Sequence, residues 1–138
     1  MTSGAAPPPN DFDLDPEALA RAEAALARLA DRYLDWAEAD LARLEATLAA
    51  LLAEPGLQAE HMAQLFLVAH DMKGQAATFG YPLVSELGNR LCRLIETRQS
   101  PTQSGWDDVA ALVAAIGEVI RRRLAGDGGI DGQRLLQR

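Results

Sequence analysis

The long first helix that the sequence predicts constrains the fold of this chain more than any other feature. Asp15-Pro16-Glu17 supplies a helix start, with an aspartate N-cap, proline in the first turn and a carboxylate near the positive end of the helix dipole. Pro55-Gly56 ends the segment. Between them, apolar residues recur every three or four positions, as on one face of an α-helix: Leu19, Ala22, Leu26, Leu29, Tyr33, Trp36, Leu41, Leu44, Leu48 and Leu51. Whether this long helix is kinked or split stays open.

Three further segments show the same helical spacing, at about 57–79, 82–98 and 106–125. Their connections are short, which favours antiparallel neighbours. We therefore expect an all-α protein, an antiparallel up-and-down four-helix bundle over residues 15–125. Trp36, Trp106 and the leucine stripes are expected in its core. Residues 1–14 are expected to be a flexible leader and residues 126–138 a flexible tail, because they are rich in proline and glycine, respectively.

Composition narrows the possible functions. Hydrophobic residues make up 49% of the chain but aromatic residues only 5%, and no period-two alternation indicates a sheet. The net charge of −7 argues against nucleic acid or an anionic membrane as a partner. Cys92 is the single cysteine, which excludes an internal disulfide and fits a reducing compartment. No signal peptide and no apolar run of about 20 residues is visible, so a cytoplasmic protein is expected.

The second helical segment carries the pattern with the strongest chemical implication. His70 is followed one turn later by Lys73 and Gly74, and Gly80 closes the segment. A glycine inside a helix costs about 1 kcal/mol relative to alanine, and a bulky group visiting the histidine would account for Gly74. Imidazole is a nucleophile that changes charge near neutral pH. The spacing therefore indicates a phosphorylatable histidine at His70.

Apolar residues flank this histidine on the same side of the helix. Phe66 and Leu67 lie one turn before it and Ala77 lies two turns after it. They are expected to form an apolar patch in contact with water, and such patches usually mark a docking surface.

The pattern His-x-x-Lys-Gly, followed after five residues by Gly, resembles the histidine-containing phosphotransfer (HPt) domain of bacterial two-component phosphorelays. The resemblance implies that His70 carries a phosphoryl group between receiver-domain aspartates, or from a hybrid histidine kinase to a response regulator. It implies that Lys73 offsets the charge of that group and that a receiver docks over the second and third helices. The receiver would bring the Mg²⁺, so this chain is expected to need no cofactor or metal, to act as a carrier rather than an enzyme, and to be a monomer.

One position departs from the family pattern. HPt domains commonly place Gln or Glu on the next helix to orient the histidine, and an ungapped match puts Cys92 there. Asn89, one turn earlier, is the other candidate. Two alternatives stay open for the whole chain: the phosphoacceptor domain of a chemotaxis-type histidine kinase, and a helical adaptor whose histidine carries nothing.

Overall fold

The computed structural model describes residues 15–98 and 106–137, and every regular element within them is helical. The helices are α1 (Pro16–Ala53), α2 (Gln58–Ala76), α3 (Pro82–Glu96), α4 (Trp106–Arg121) and α5 (Gly129–Leu136), and a 3₁₀ turn (Pro55–Leu57) joins α1 to α2. The all-α expectation is thereby confirmed. The predicted flexible leader, residues 1–14, lies outside the described residues.

Helix α1 is one continuous helix of 38 residues, so the question of a split is resolved in favour of a single element. Its start follows the sequence signal: the Asp15 side chain accepts a hydrogen bond from the Glu17 backbone N–H at 3.3 Å, and Pro16 occupies the first turn. Capping of this kind satisfies one of the donors that a helix leaves free at its N-terminus.

Helices α1 to α4 form a closed bundle in which α1 and α3 each pack against α2 and α4. Helix α3 runs antiparallel to α2, because Ser85 bonds to the Lys73 carbonyl whereas Cys92, two turns later, faces the Phe66 carbonyl. The end of α4 returns to the α2–α3 corner, where the Gly126 N–H donates to the Gly80 carbonyl at 3.0 Å. The contacts therefore agree with the up-and-down order expected from the short connections.

The corner between α2 and α3 depends on a glycine, as the sequence indicated. Gly80 has φ +88°, in the left-handed region that favours glycine. The Tyr81 N–H donates to the Ala76 carbonyl at 2.9 Å and the Gly80 N–H to the Ala77 carbonyl at 3.4 Å, which is the hydrogen-bond pattern of a Schellman C-cap. Pro82 then begins α3.

An aromatic cluster ties α1 to this corner. The Tyr33 ring stacks on Phe79 with centroids 5.1 Å apart and lies 5.5 Å from the ring of Tyr81. Burial raises the pKa of Tyr33 to about 12, and the neighbouring Tyr81 and Asp40 add to the shift. The cluster fixes the point along α1 at which the bundle begins.

The predicted core is confirmed for most of the stripe from Tyr33 onward, but it is wrong for Trp36 and for the first part of α1. Trp106 is buried at 2% exposure, as expected, and Arg98 lies over its ring. Trp36, however, is 48% exposed, and the exposed residues also include Leu19, Leu26 and Leu29. For Leu19, Leu26 and Leu29 the physical reason is length: α1 has 38 residues whereas α2, α3 and α4 have 19, 15 and 16, so α1 runs past the elements that would cover it. Trp36 instead lies at the rim of the aromatic cluster, edge-on to the Phe79 ring with centroids 6.4 Å apart.

The expectation of a flexible tail after residue 125 is also corrected. Gly129–Leu136 forms α5, which packs on α3 and buries Leu135 to 3% exposure. Arg90 of α3 donates to the Leu136 carbonyl at 2.6 Å, and Arg122 pairs with Asp131. Short-range sequence signals pointed to a loop because four glycines lie between residues 126 and 132. Tertiary contacts with α3 override that local preference.

Across residues 15–98 and 106–137, no helix combines the length and the apolar character that crossing a membrane would require.

Candidate functional site

His70 lies on the exposed side of α2, six residues before the helix ends at Ala76. Val68, Ala69 and Met72 face the opposite way and are buried, so the helix places the imidazole on the solvent side. The ring of His70 rests against that of Phe66, with centroids 5.8 Å apart and planes inclined by 25°. The ring therefore has one apolar contact and an accessible perimeter, as a nucleophile that meets a second protein requires.

Lys73, one turn after the histidine, is half-buried between α2 and α3. Its ammonium donates a hydrogen bond to the Asn89 side-chain oxygen at 3.2 Å. Its backbone carbonyl accepts a bond from the Ser85 hydroxyl. The bond to Asn89 restrains the Lys73 side chain on the α3 side of the histidine, and it lowers the entropy that this side chain must lose when it meets an anion.

The two glycines near the site have different structural roles. A Cβ built on Gly74 has no atom within 4 Å, so the fold of this chain does not itself require glycine there. A Cβ built on Gly88 would lie 3.0 Å from the Lys73 Cβ and 3.4 Å from the Ala69 carbonyl oxygen. Gly88 therefore lets α3 approach α2 closely. Gly74 instead leaves open space beside His70.

The residues predicted to dock a partner lie on this same side of α2. Leu67 is 57% exposed, Ala77 is exposed, and Phe66 is half-buried with its edge on the core. An open groove between α2 and α3 is lined by Lys73, Gly74, Pro82, Ser85, Glu86 and Asn89. Apolar and polar groups thus surround the imidazole on one face formed by two helices.

Neither residue considered for orienting the imidazole forms a hydrogen bond with it. Asn89 binds the Lys73 ammonium instead. Cys92 is buried, and its thiol lies 4.0 Å from the Phe66 carbonyl oxygen. The pKa of this thiol is raised, chiefly by burial; the nearby Lys73 opposes the shift and Glu96 adds to it. Within the described ranges, no hydrogen bond to the His70 ring is found, and its orientation comes from the contact with Phe66.

Sequence reasoning missed two residues that build the site, Ser85 and Gly88. Gly88 could have been found from the sequence, because a glycine inside a predicted helix is destabilising and therefore suggests a structural or functional role, as at Gly74. Ser85 had none, since a serine in the first turn of a helix is common. His61, the other histidine, lies apart and pairs with Glu54 at 3.1 Å. In the part of the chain that the structure describes, no cluster of three or more His, Cys, Asp or Glu side chains is arranged to hold a metal.

The family model for the Hpt domain matches residues 28–122, which is more than half of the chain and includes all of α2, α3 and α4. The chain therefore belongs to the Hpt domain family. Domains of this family take part in histidine phosphotransfer in phosphorelays, as carrier modules that interact with receiver domains and kinases. No curated protein and no solved structure matches the chain.

Proposed function

We propose that this protein carries a phosphoryl group on His70 and exchanges it with the aspartate of a receiver domain. The observation that supports this proposal most strongly is the combination of an exposed imidazole with an open glycine one turn away, within the segment that the Hpt family model matches. The open space at Gly74 has no function in the isolated fold, whereas it would admit a phosphoryl group and the loop of a partner.

The transfer step needs only a nucleophile on this chain. An imidazole nitrogen of His70 attacks the phosphorus of a phosphoaspartate, and its lone pair forms the new N–P bond. The P–O bond to the carboxylate breaks, and its electron pair stays on the receiver's aspartate. The reverse step returns the group by the same route. We expect the Mg²⁺ that balances charge in this reaction to be held by the receiver.

Lys73 is proposed to stabilise the phosphorylated state. The phosphoryl group adds negative charge on α2, and a lysine three residues along the helix lies on a neighbouring part of the same face. Its bond to Asn89 holds the ammonium at the α2–α3 interface before the phosphoryl group arrives. A preplaced cation stabilises developing charge without a reorganisation cost at the moment of reaction.

The receiver is proposed to dock over α2 and α3 and to cover Phe66, Leu67 and Ala77. Exposed apolar side chains next to the imidazole would exclude water from the transfer site. The groove that contains Asn89 and Glu86 supplies hydrogen-bonding groups at its edge. Such a mixed surface is typical of partners that associate and separate repeatedly.

The proposal is tested with the small phosphodonor phosphoramidate and, separately, with purified receiver domains phosphorylated in advance. Wild-type protein should gain one acid-labile phosphate, seen as a phosphorus NMR signal, and His70→Gln should gain none while keeping its helical circular dichroism. The matched control is His61→Gln, because His61 is paired with Glu54 away from the site. Labelling of His70→Gln equal to that of wild type would end the proposal.

A third donor, a histidine kinase supplied with ATP, separates the proposal from the chemotaxis-type alternative. Labelling by phosphorylated receivers supports exchange with receiver aspartates. Labelling only by the ATP site of a kinase would instead assign the chain to the phosphoacceptor role. Lys73→Ala should retain the fold but shorten the lifetime of the phosphorylated form, and an unchanged lifetime would remove Lys73 from the mechanism.

A further inference from the structure

Lys73 is the only lysine among the 138 residues of the chain, which otherwise uses arginine for its permanent positive charges. A lysine ammonium is a compact charge with three N–H donors at the end of a flexible stem. Its position therefore depends on the groups that hold it. In this structure the Lys73 ammonium donates a hydrogen bond to the Asn89 side-chain oxygen at 3.2 Å. Asn89 thus determines where this single ammonium lies relative to His70.

Helix α3 constrains both ends of the Lys73 side chain. At the backbone end, a Cβ built on Gly88 would lie 3.0 Å from the Lys73 Cβ, so α3 passes directly over the stem. At the other end, Asn89 accepts the hydrogen bond from the ammonium. Ser85, one turn earlier on α3, binds the Lys73 carbonyl and not its side chain. Among the residues whose positions are described, Asn89 is therefore the one that hydrogen-bonds the ammonium itself.

The group that holds Lys73 carries no charge. An amide oxygen accepts a hydrogen bond but leaves the ammonium positive. The carboxylate that lines the same groove, Glu86, pairs instead with Arg90 at 3.1 Å. No ion pair joins Lys73 to a carboxylate of residues 15–98 or 106–137. The positive charge of Lys73 is thus held in place and left available to an anion.

We propose that Asn89 is a positioning residue for phosphotransfer, which holds the Lys73 ammonium ready for a phosphoryl group on His70 without neutralising it. This inference rests on the proposed phosphorylation of His70. The bond to Asn89 uses one of the three N–H donors of the ammonium, so the other two can bind phosphoryl oxygens while the first stays in place. The side-chain entropy of Lys73 is then lost on folding rather than when the phosphoryl group arrives. Asn89 acts through Lys73 and needs no contact with the imidazole.

The lifetime of the phosphohistidine tests the inference. Full-length variants are phosphorylated with phosphoramidate, and the decay of the phosphorus NMR signal gives the half-life. Asn89→Ala should keep its helical circular dichroism but shorten the half-life about fivefold, the factor that corresponds to one hydrogen bond. The control is Thr97→Ala, which removes another 3.2 Å side-chain bond of α3, to the Leu94 carbonyl, at the exposed end of the helix. It should leave the half-life unchanged.

A double-mutant cycle separates positioning from a merely structural role. If Asn89 acts through Lys73, Asn89→Ala should have no further effect in a chain that already carries Lys73→Ala. The same fivefold loss in that chain would overturn the inference. Asn89→Asp keeps an acceptor of the same shape but adds a negative charge beside the ammonium, so it should also shorten the half-life. A half-life equal to that of wild type in Asn89→Asp would contradict the need for an uncharged acceptor.

The single lysine also allows a direct measurement of its ammonium. Lysine labelled with an NMR-active nitrogen isotope at the ε position gives one signal, that of Lys73. This signal should shift when wild type is phosphorylated and shift less in Asn89→Ala; equal shifts would overturn the inference. A wild-type chain that gains no phosphate would end both the proposed function and this inference. A phosphorylated wild type with the same half-life as Asn89→Ala would end only the role of Asn89.

Discussion

Gly74→Ala should stabilise the fold and slow phosphotransfer at the same time. A Cβ at this position meets no atom within 4 Å, and the residue lies inside α2, so the new methyl group causes no clash. Alanine is favoured over glycine in a helix interior by about 1 kcal/mol. The structure describes 116 residues (84 in 15–98 and 32 in 106–137). At about 2.1 cal/mol/K per residue, the unfolding entropy is about 0.24 kcal/mol/K, so the melting temperature should rise by about 4 °C.

Gly74→Ala should slow phosphotransfer only when a partner protein has to bind. The methyl group would stand in the open space one turn from His70, where we propose that the backbone of a receiver comes close. We expect kcat/KM for transfer from a phosphorylated receiver to fall about tenfold, which corresponds to about 1.4 kcal/mol of lost transition-state stabilisation. Phosphorylation by a small donor should change much less, because it needs room for the phosphoryl group alone and not for the backbone of a partner as well.

Thermal unfolding followed by circular dichroism and single-turnover transfer assays measure the two effects. Gly56→Ala is the matched control, since a Cβ there also meets no atom within 4 Å but belongs to the Pro55–Leu57 turn, outside the docking surface. It should leave transfer unchanged. A higher melting temperature with unchanged transfer would refute a docking role for Gly74. A lower melting temperature would refute the open environment on which the reasoning rests.

Three further outcomes follow from packing and burial. Gly88→Ala should lower the unfolding free energy by about 1 kcal/mol in denaturant titrations, because its Cβ would lie 3.0 Å from that of Lys73; a gain would contradict the close α2–α3 packing. Leu135→Ala should cost about 2 kcal/mol, whereas Ile130→Ala, at 73% exposure, should cost almost nothing; equal effects would mean that α5 does not pack. Between pH 10 and 12 the fold should lose about 2 kcal/mol, because burial raises the pKa of Tyr33 to about 12 and the unfolded chain ionises first. The pH dependence of unfolding measures this loss; it should be absent below pH 10 and reduced in Tyr33→Phe.

Local patterns were enough to predict the four main helices and the exposed face of α2 on which His70 lies. Helical spacing of apolar side chains, the Asp15 cap and the Gly80 corner depend on contacts within a few residues. The spacing of His70, Lys73 and Gly74 follows directly from one helical turn. These features can be predicted from the sequence because each depends on residues that are close together in it.

The connections of the site to its neighbouring helix were not predictable in the same way. Asn89 binds Lys73 rather than the histidine, and Ser85 binds the carbonyl of the same lysine. Those contacts join residues that lie 16 and 12 positions apart in sequence. They depend on the distance between α2 and α3, which is short because residue 88 is a glycine. Sequence spacing within one helix does not specify that distance.

The amino-acid sequence by itself determined which face of each helix is apolar and which helix carries His70. Only the tertiary structure decided which of those apolar faces are covered. Leu26 and Leu44 belong to the same stripe of α1, yet one is 65% exposed and the other fully buried. Leu135 is buried, although the glycines near it in the sequence led us to expect a flexible tail. An apolar face is buried only if a distant part of the chain, or another molecule, packs against it. The periodicity of apolar residues within one helix does not predict whether such packing occurs.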